Sequence, residues 1–289
     1  MASSKAELQV YRYLDKATRG LVGMSDDTIE QVVSHIRDAL KKQFSNKNEK
    51  EAFRLRMSNI GRPYCQLWFQ KNKPETAIHP SANRVMLMML GDIVEAVFKG
   101  ILTEAGVSYT DSKEVSLNIK GSKIKGTYDL VIDDHVDDIK SASTWSYTNK
   151  FTDFETVKDG DSFGYVGQLA GYAKASKKNV GGWWVINKNN AEFKYVSAKG
   201  LDIKKEYTIL KEKFERLEEN KFERCFDAVD ETFRGKLTGN KILSKSCTFC
   251  DFRFACWEGI EERPSVMSQA REPKIVPYVY LKEEYKNER

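Results

Sequence analysis

The sequence predicts an α/β or α+β core with helical flanks, and three observations carry that expectation. Apolar residues recur every three to four positions through the first hundred or so residues, the period drops to two after Val115, and helix-like and strand-like segments then alternate. Near the start, Ser25-Asp26-Asp27 opens the run TIEQVVSHIRDALKKQF, where Ile29, Val32, Val33, Ile36 and Leu40 fall at helical spacing. Acids at its beginning and lysines at its end suit the helix dipole. After the polar break SNKNEKE, the stretch MSNIGRPYCQLWFQ uses Gly61 and Pro63 as a turn into a helix that carries Cys65. NRVMLMMLGDIVEAVFKGILTEAG is apolar on most faces and reads as a buried core helix.

VSLNI, IKGTYDLVID and VDDIKSA, separated by Lys-Gly-Ser-Lys and Asp-His turns, read as a three-strand meander. Residues 153–161 are polar and read as a loop. GYVGQLAGYAKAS follows as a helix, GGWWVI and EFKYVSA as two strands, and residues 201–221 as a charged helix. One of Trp183 and Trp184 is expected in the core. Beyond Arg263 the chain reads as irregular, and no internal repeat or low-complexity tract is present.

The 289 residues are 40% hydrophobic and 31% charged, which suits a folded globular protein and excludes a disordered one. The longest apolar stretch, Val85 to Leu90, is far too short to span a bilayer, so no membrane partner is expected. The opening MASSKAELQVYRYLDK lacks a secretory pattern, which makes the cytoplasm the expected compartment, or the host cytoplasm for a phage-encoded protein. A net charge of +5 permits a nucleic-acid partner without demanding one.

Five cysteines in such a chain do not make a disulfide framework. Cys247, Cys250 and Cys256 form C-x2-C-x5-C, three of the four thiolates that a [4Fe–4S] cluster or a structural zinc requires. The fourth is Cys65 or Cys225. Cys65 is flanked by turn residues and aromatics and Cys225 by a charged helical stretch, which favours Cys65. The thiolates alone do not separate a cluster from zinc.

The second constellation is GTYDLVIDDHVDDIK, residues 126–140. Asp129 lies on one strand, and Asp138 and Lys140, two apart, share a face of the next. Two carboxylates on neighbouring strands form a hard oxygen site suited to Mg²⁺ or Mn²⁺. A lysine beside them orients or deprotonates a water and offsets phosphate charge. Glu95 on the preceding helix adds a third carboxylate, and Gln168 and Tyr172 share one helix face. Asp133, Asp134 and Asp137 read as turn and surface acids.

Taken in order, Gly91–Glu95, Gly126–Asp129, Asp138–Lys140 and Gln168–Tyr172 match the G-x-x-x-E, G-x-x-D, D-x-K and Q-x-x-x-Y elements of the PD-(D/E)XK nuclease superfamily, which the chain resembles. Bracketed by Cys65 and C-x2-C-x5-C, the pattern is similar to the RecB-type branch that carries an iron–sulfur cluster. That branch includes the Cas-four exonucleases, the AddB nuclease domain and the eukaryotic exonuclease-five proteins. Many of these relatives have His where this chain has Glu95.

The resemblance implies a mixed central sheet flanked by helices, with a helical N-terminal region and a C-terminal iron–sulfur segment. It places a helical region at 1–54, the nuclease core with its cysteines at 55–262 and a tail at 263–289. Asp129, Asp138 and the Ile139 carbonyl would hold the metal, with Glu95 as a further ligand, and Lys140 would position the water. Gln168 and Tyr172 would support the site and the DNA strand, and Cys65, Cys247, Cys250 and Cys256 would hold the cluster.

The expected activity is metal-dependent hydrolysis of DNA, as an exonuclease on single strands or free ends, in repair, recombination, phage DNA metabolism or CRISPR adaptation. A helicase or recombination protein is a candidate partner. Trp145, Tyr147 and Lys150, in STWSYTNKFTDF, form either a single-strand guide or a loop whose aromatics cap the core. The rival readings are a non-catalytic nucleic-acid-binding protein on a nuclease-like fold and a zinc-stabilised structural protein.

Overall fold

The computed structural model describes residues 2–44, 53–159 and 161–286, and the described residues fall into two compact units built from interleaved segments. One unit comprises Met1–Arg62 and Pro80–Glu215, and the other Pro63–His79 and Arg216–Arg289. In chain order the elements begin with helices α1 (Ala2–Thr18), α2 (Asp26–Gln43), α3 (Met57–Ile60), α4 (Tyr64–Asn72) and α5 (Ala82–Glu104). Strands β1 (Thr110–Ile119), β2 (Ser122–Ile132) and β3 (His135–Ala142) follow, then helices α6 (Thr144–Asn149), α7 (Phe154–Asp159) and α8 (Tyr165–Ser176). After these come β4 (Asn179–Asn187), β5 (Phe193–Ser197) and α9 (Ile203–Glu219).

The first unit is α/β, with a five-stranded sheet in the order β1-β2-β3-β4-β5. The sheet is mixed: β3 and β4 run parallel, and every other neighbouring pair is antiparallel. The parallel step needs a crossover, which α6 to α8 supply. Apolar cores lie on both faces. One gathers Met57, Ile124, Tyr128, Leu169, Tyr172, Trp183 and Leu210. The other gathers Val10, Phe98, Leu102, Leu130, Ile139 and Trp184. Both tryptophans are therefore core, on opposite faces, where the sequence argued for one.

A register break at Asp137 shapes the sheet next to the acidic hairpin. The β3–β4 ladder shifts between Val136 and Asp138, as a bulge does when it re-aims a neighbouring side chain. Asp137 fills the gap itself. Its carboxylate accepts hydrogen bonds from the Gly182 amide at 2.8 Å, Trp184 Nε1 at 3.2 Å and the Tyr195 hydroxyl at 2.8 Å. A Cβ at Gly181 would stand 1.8 Å from Asp137 Oδ1, so the glycine is what lets the carboxylate reach the strand. Burial pushes the Asp137 carboxyl up to about 7, against the pull of its three donors. The expectation of a surface acid at 137 is overturned, because periodicity cannot reveal a side chain that replaces a missing ladder bond. Asp133 and Asp134 do form the turn, both with positive φ.

Three other expectations change. Helix α5 is buried only in its second half, and Met86, Leu87 and Met88 are exposed, so it is not a core helix throughout. The polar stretch 153–161 contains α7, started by the Asp153 side chain accepting from the Thr156 amide at 2.8 Å. The tail beyond 263 is not irregular. In the second unit β6 (Val229–Phe233), β7 (Lys236–Ile242), β8 (Glu261–Pro264) and β9 (Ile275–Tyr280) form a four-stranded sheet in the order β6-β7-β9-β8. Its centre is polar: buried Glu231 accepts from Thr238 Oγ1, Asn240 Nδ2 and the Tyr278 hydroxyl. Strands β6 and β7 therefore show no apolar alternation, and Pro277 interrupts the apolar run of β9. No helix among the described residues is long and apolar enough to cross a membrane.

Candidate metal centre and cysteine cluster

The site in the first unit forms where β3 parts from β2. Their ladder pairs Leu130 with Asp137 and proceeds towards the turn, which leaves Asp129 and Asp138 side by side at its open end. Asp129 closes that end with its side chain, accepting from the Ile139 amide at 2.7 Å. Lys140 Nζ lies 2.5 Å from Asp138 Oδ2. Asp138 is 2% exposed, whereas Asp129 keeps partial solvent access, so the pair opens to solvent on one side.

The electrostatics follow from this crowding. Desolvation, then Asp138 and Glu95, push the Asp129 carboxyl well above the usual carboxylate range. Desolvation and Glu95 likewise raise Asp138, against the pull of Lys140. Burial alone would strip the proton from Lys140, but Asp138 and Asp129 outweigh it and hold the ammonium above its ordinary value. Lys140 is thus held beside Asp138 as an ion pair.

Glu95 enters from α5 and pairs with Lys99 at 2.8 Å. Gln168 Nε2 donates to the Tyr172 hydroxyl at 3.2 Å on α8, and burial raises that phenol to about 12. Tyr172 feels the charges of Asp138, Asp129 and Lys140, so the helix face does reach the hairpin. Ile139 contributes its amide to Asp129 and buries its side chain in the core on the α5 side. Gly91 meets nothing that would demand a glycine. Gly126 does: a Cβ there would stand 2.4 Å from Met57 Cβ and 2.9 Å from Tyr172 Cε1. Gly126→Ala is expected to lower stability by about 1–3 kcal/mol through overpacking and to displace Tyr172. Chemical denaturation measures the first effect, and an unchanged midpoint would contradict it.

Two residues that the sequence did not single out complete the surroundings. The Tyr165 ring lies 4.9 Å from Lys140 Nζ and 4.6 Å from Lys150 Nζ, a cation–π contact with each. Its spacing of three and seven from Gln168 and Tyr172 marks the same helix face, a signal that was available. Lys99, four after Glu95, was available in the same way. Of the candidate guide residues, Trp145 is 56% exposed, Tyr147 packs against the core, and Lys150 is buried with its ammonium over Phe163 and Tyr165.

The cysteines lie in the second unit. Cys65 on α4, Cys247 and Cys250 around a short turn of helix (α10, Lys245–Thr248), and Cys256 ending another (α11, Arg253–Cys256) line one cavity of about 20 Å³ with Pro63, Phe226 and Trp257. A stacked Phe69–Phe252 pair backs the same unit. Burial pushes the Cys250 thiol up to about 11 and raises Cys256. Cys225 is not helical as its sequence suggested. It lies exposed in an irregular stretch, where its sulfur accepts the Cys65 amide at 2.9 Å. The Cys225 thiol and burial together push Cys65 upward.

Among the described residues, no three or more His, Cys, Asp or Glu side chains have the arrangement of an assembled metal site. The donor chemistry nevertheless fits at both places. Buried Asp138 Oδ2 touches the Lys140 ammonium without hydrogen-bond geometry, which leaves an enclosed acceptor beside a second carboxylate. Four thiols share one small cavity whose lining contains no carboxylate.

No family model and no curated protein matches the chain. A solved structure, "Crystal structure of SSO0001", aligns over 78% of this chain and 94% of its own, at 15% identity and a TM-score of 0.44. A likeness at that level carries no argument about fold or function.

Proposed function

We propose that the protein is a metal-dependent DNA nuclease of the PD-(D/E)XK kind that hydrolyses phosphodiester bonds in single-stranded DNA or at DNA ends. The observation that carries this reading is the open end of the β2–β3 ladder, where Asp129, Asp138 and the Lys140 ammonium meet. Asp129, Asp138 and Glu95 are the residues that would hold Mg²⁺ or Mn²⁺. The cation would supply Lewis acidity at the phosphate and a more acidic bound water.

The chain's own part is positional and electrostatic. Asp138 fixes Lys140, whose ammonium would offset phosphate charge and orient the water. The Tyr165 ring holds that ammonium from the side, and Tyr172, bonded to Gln168, closes the α8 face. In the second unit, the four thiols are the residues for a structural [4Fe–4S] cluster or zinc ion, pinning Pro63–His79 to Arg216–Arg289.

The raised carboxyl groups set a pH dependence. Asp129 and Asp138 bind a cation only when ionised, and both keep their protons above the ordinary range near about pH 4. Cation affinity and cleavage should rise as pH climbs through that raised range. The cation-free fold should lose stability over the same interval, because an acid whose folded pKa is raised stabilises only while it holds its proton. A cleavage profile already flat at about pH 4 would contradict this.

The function is tested with end-labelled linear and covalently closed circular single-stranded DNA, incubated with Mg²⁺, Mn²⁺ or a chelator. Loss of the linear form alone supports an exonuclease, and loss of both an endonuclease at the same site. DNA binding without cleavage under either metal would replace the reading with a non-catalytic binding protein.

A further inference from the structure

Three aromatic rings stack from the core of the first unit to its surface. Phe151 is 2% exposed, and its ring lies 5.8 Å from that of Tyr165 with 29° between their planes. Tyr165 in turn stacks on Phe163 at 5.7 Å and 17°. Phe163 ends the series and is 45% exposed, so the stack opens to solvent at one end. A single exposed apolar residue is ordinary on a protein surface. Phe163 differs in its charged neighbours and in how firmly its segment is held.

Two cations accompany the rings. Lys150 Nζ lies 5.1 Å from the Phe163 centroid and 4.6 Å from that of Tyr165, and Lys140 Nζ lies 4.9 Å from the Tyr165 centroid. Lys140 is the lysine paired with Asp138, so direct contacts join the open ring to the candidate metal centre. The segment that carries Phe163 is fixed at both ends. Asp161 accepts from the Tyr165 and Val166 amides at 2.8 and 2.9 Å. Gly164 has a φ of +79° and packs on Gly61 so closely that a Cβ on either would overlap the other's backbone. A ring on such a turn is ordered before it meets a ligand, which lowers the cost of binding. The Asp161 carboxylate already takes the first amides of α8, which leaves the ring and the lysines as the recognition elements.

We propose that Phe163 is a stacking platform for an unpaired nucleobase of a DNA strand that passes Lys140. This rests on the proposed function and adds to it a preference for single strands. Every base has a π-face that an aromatic ring can cover, and inside a duplex both faces are already covered by neighbouring pairs. The two ammonium groups suit the negative charge of the strand. Lys150 belongs to the guide that the sequence suggested, and its exposed ring partner in space is Phe163, whereas Tyr147 packs against the core.

The test is equilibrium binding of the full chain, in chelator so that nothing is cleaved, to an oligothymidylate, an equally long strand of abasic phosphodiester units and a blunt duplex. The wild type should prefer the oligothymidylate to the abasic strand. Phe163→Ala should weaken oligothymidylate binding by about 5–100-fold and leave the abasic strand unchanged. Phe163→Trp should bind at least as tightly as the wild type. Equal losses on both strands, no loss on either, or a loss greater on the blunt duplex would overturn the proposal, as would a wild type that does not prefer the oligothymidylate. If Phe163→Ala does not fold, Phe163→Leu, which keeps apolar bulk and removes the ring, decides by the same comparison. Failure of the nuclease reading shows separately, with Mn²⁺ in place of the chelator: a wild type that binds the oligothymidylate through Phe163 yet cleaves no DNA overturns the nuclease and leaves the platform standing.

Discussion

Asp138→Asn is expected to lower metal-dependent cleavage by roughly 10³-fold or more while the chain still folds. Asparagine has nearly the shape of aspartate, so the 2%-exposed position is not emptied. What disappears is one of two adjacent carboxylates and the counter-charge of Lys140 at 2.5 Å. Asp129 then faces less repulsion and its carboxyl should fall towards the ordinary range, since Asp138 is the largest charge raising it. The variant therefore separates two roles. Stability shifts modestly, because a lost ion pair and a lost repulsion oppose each other, whereas cation binding and cleavage are both lost. Denaturation and cleavage measured on one preparation check this, and cleavage within a few-fold of wild type would contradict it.

The second large effect is in the other unit. With the proposed cluster or zinc on the four thiols, Cys250→Ala should release it and lower the melting temperature of that unit by more than about 10 °C. A structural zinc contributes roughly 10–16 kcal/mol of apparent binding free energy, and each kcal/mol corresponds to about 4–8 °C in a unit of this size. The sheet of the second unit is organised around polar Glu231 and Asn240, and its aromatic cluster includes Trp68, Phe69, Phe222 and Phe252. Cys225→Ser should retain the group, because Cys225 is not among the residues lining the cavity. Metal content and the absorbance near about 400 nm identify the group, coloured for iron–sulfur and colourless for zinc. A Cys250→Ala protein that melts like the wild type would remove the structural role.

The sequence made the α/β order legible wherever one face of an element is apolar and the other is not. The period-two segments after Val115 became β1, β2 and β3, and the Gln168–Tyr172 run became α8. The acidic hairpin was legible because Asp129, Asp138 and Lys140 are strand neighbours at fixed offsets, a local property that survives without tertiary information. What stayed hidden depended on contacts between distant residues. Asp137 is buried because Gly182, Trp184 and Tyr195 meet it across a register break. β8 and β9 pair along a sheet with a polar centre, and Cys225 reaches Cys65 from a segment without periodicity. The exposed Met86, Leu87 and Met88 show the opposite error, since apolar composition overstated the burial of α5.

The most direct test of the account is release of labelled nucleotide from linear single-stranded DNA by anaerobically purified protein in Mg²⁺ or Mn²⁺, with Asp138→Asn beside it and DNA binding measured on both. Release should require the metal and vanish in the variant while DNA binding persists. Release that is equal in the variant, or absent from the wild type under both metals while DNA still binds, would contradict it.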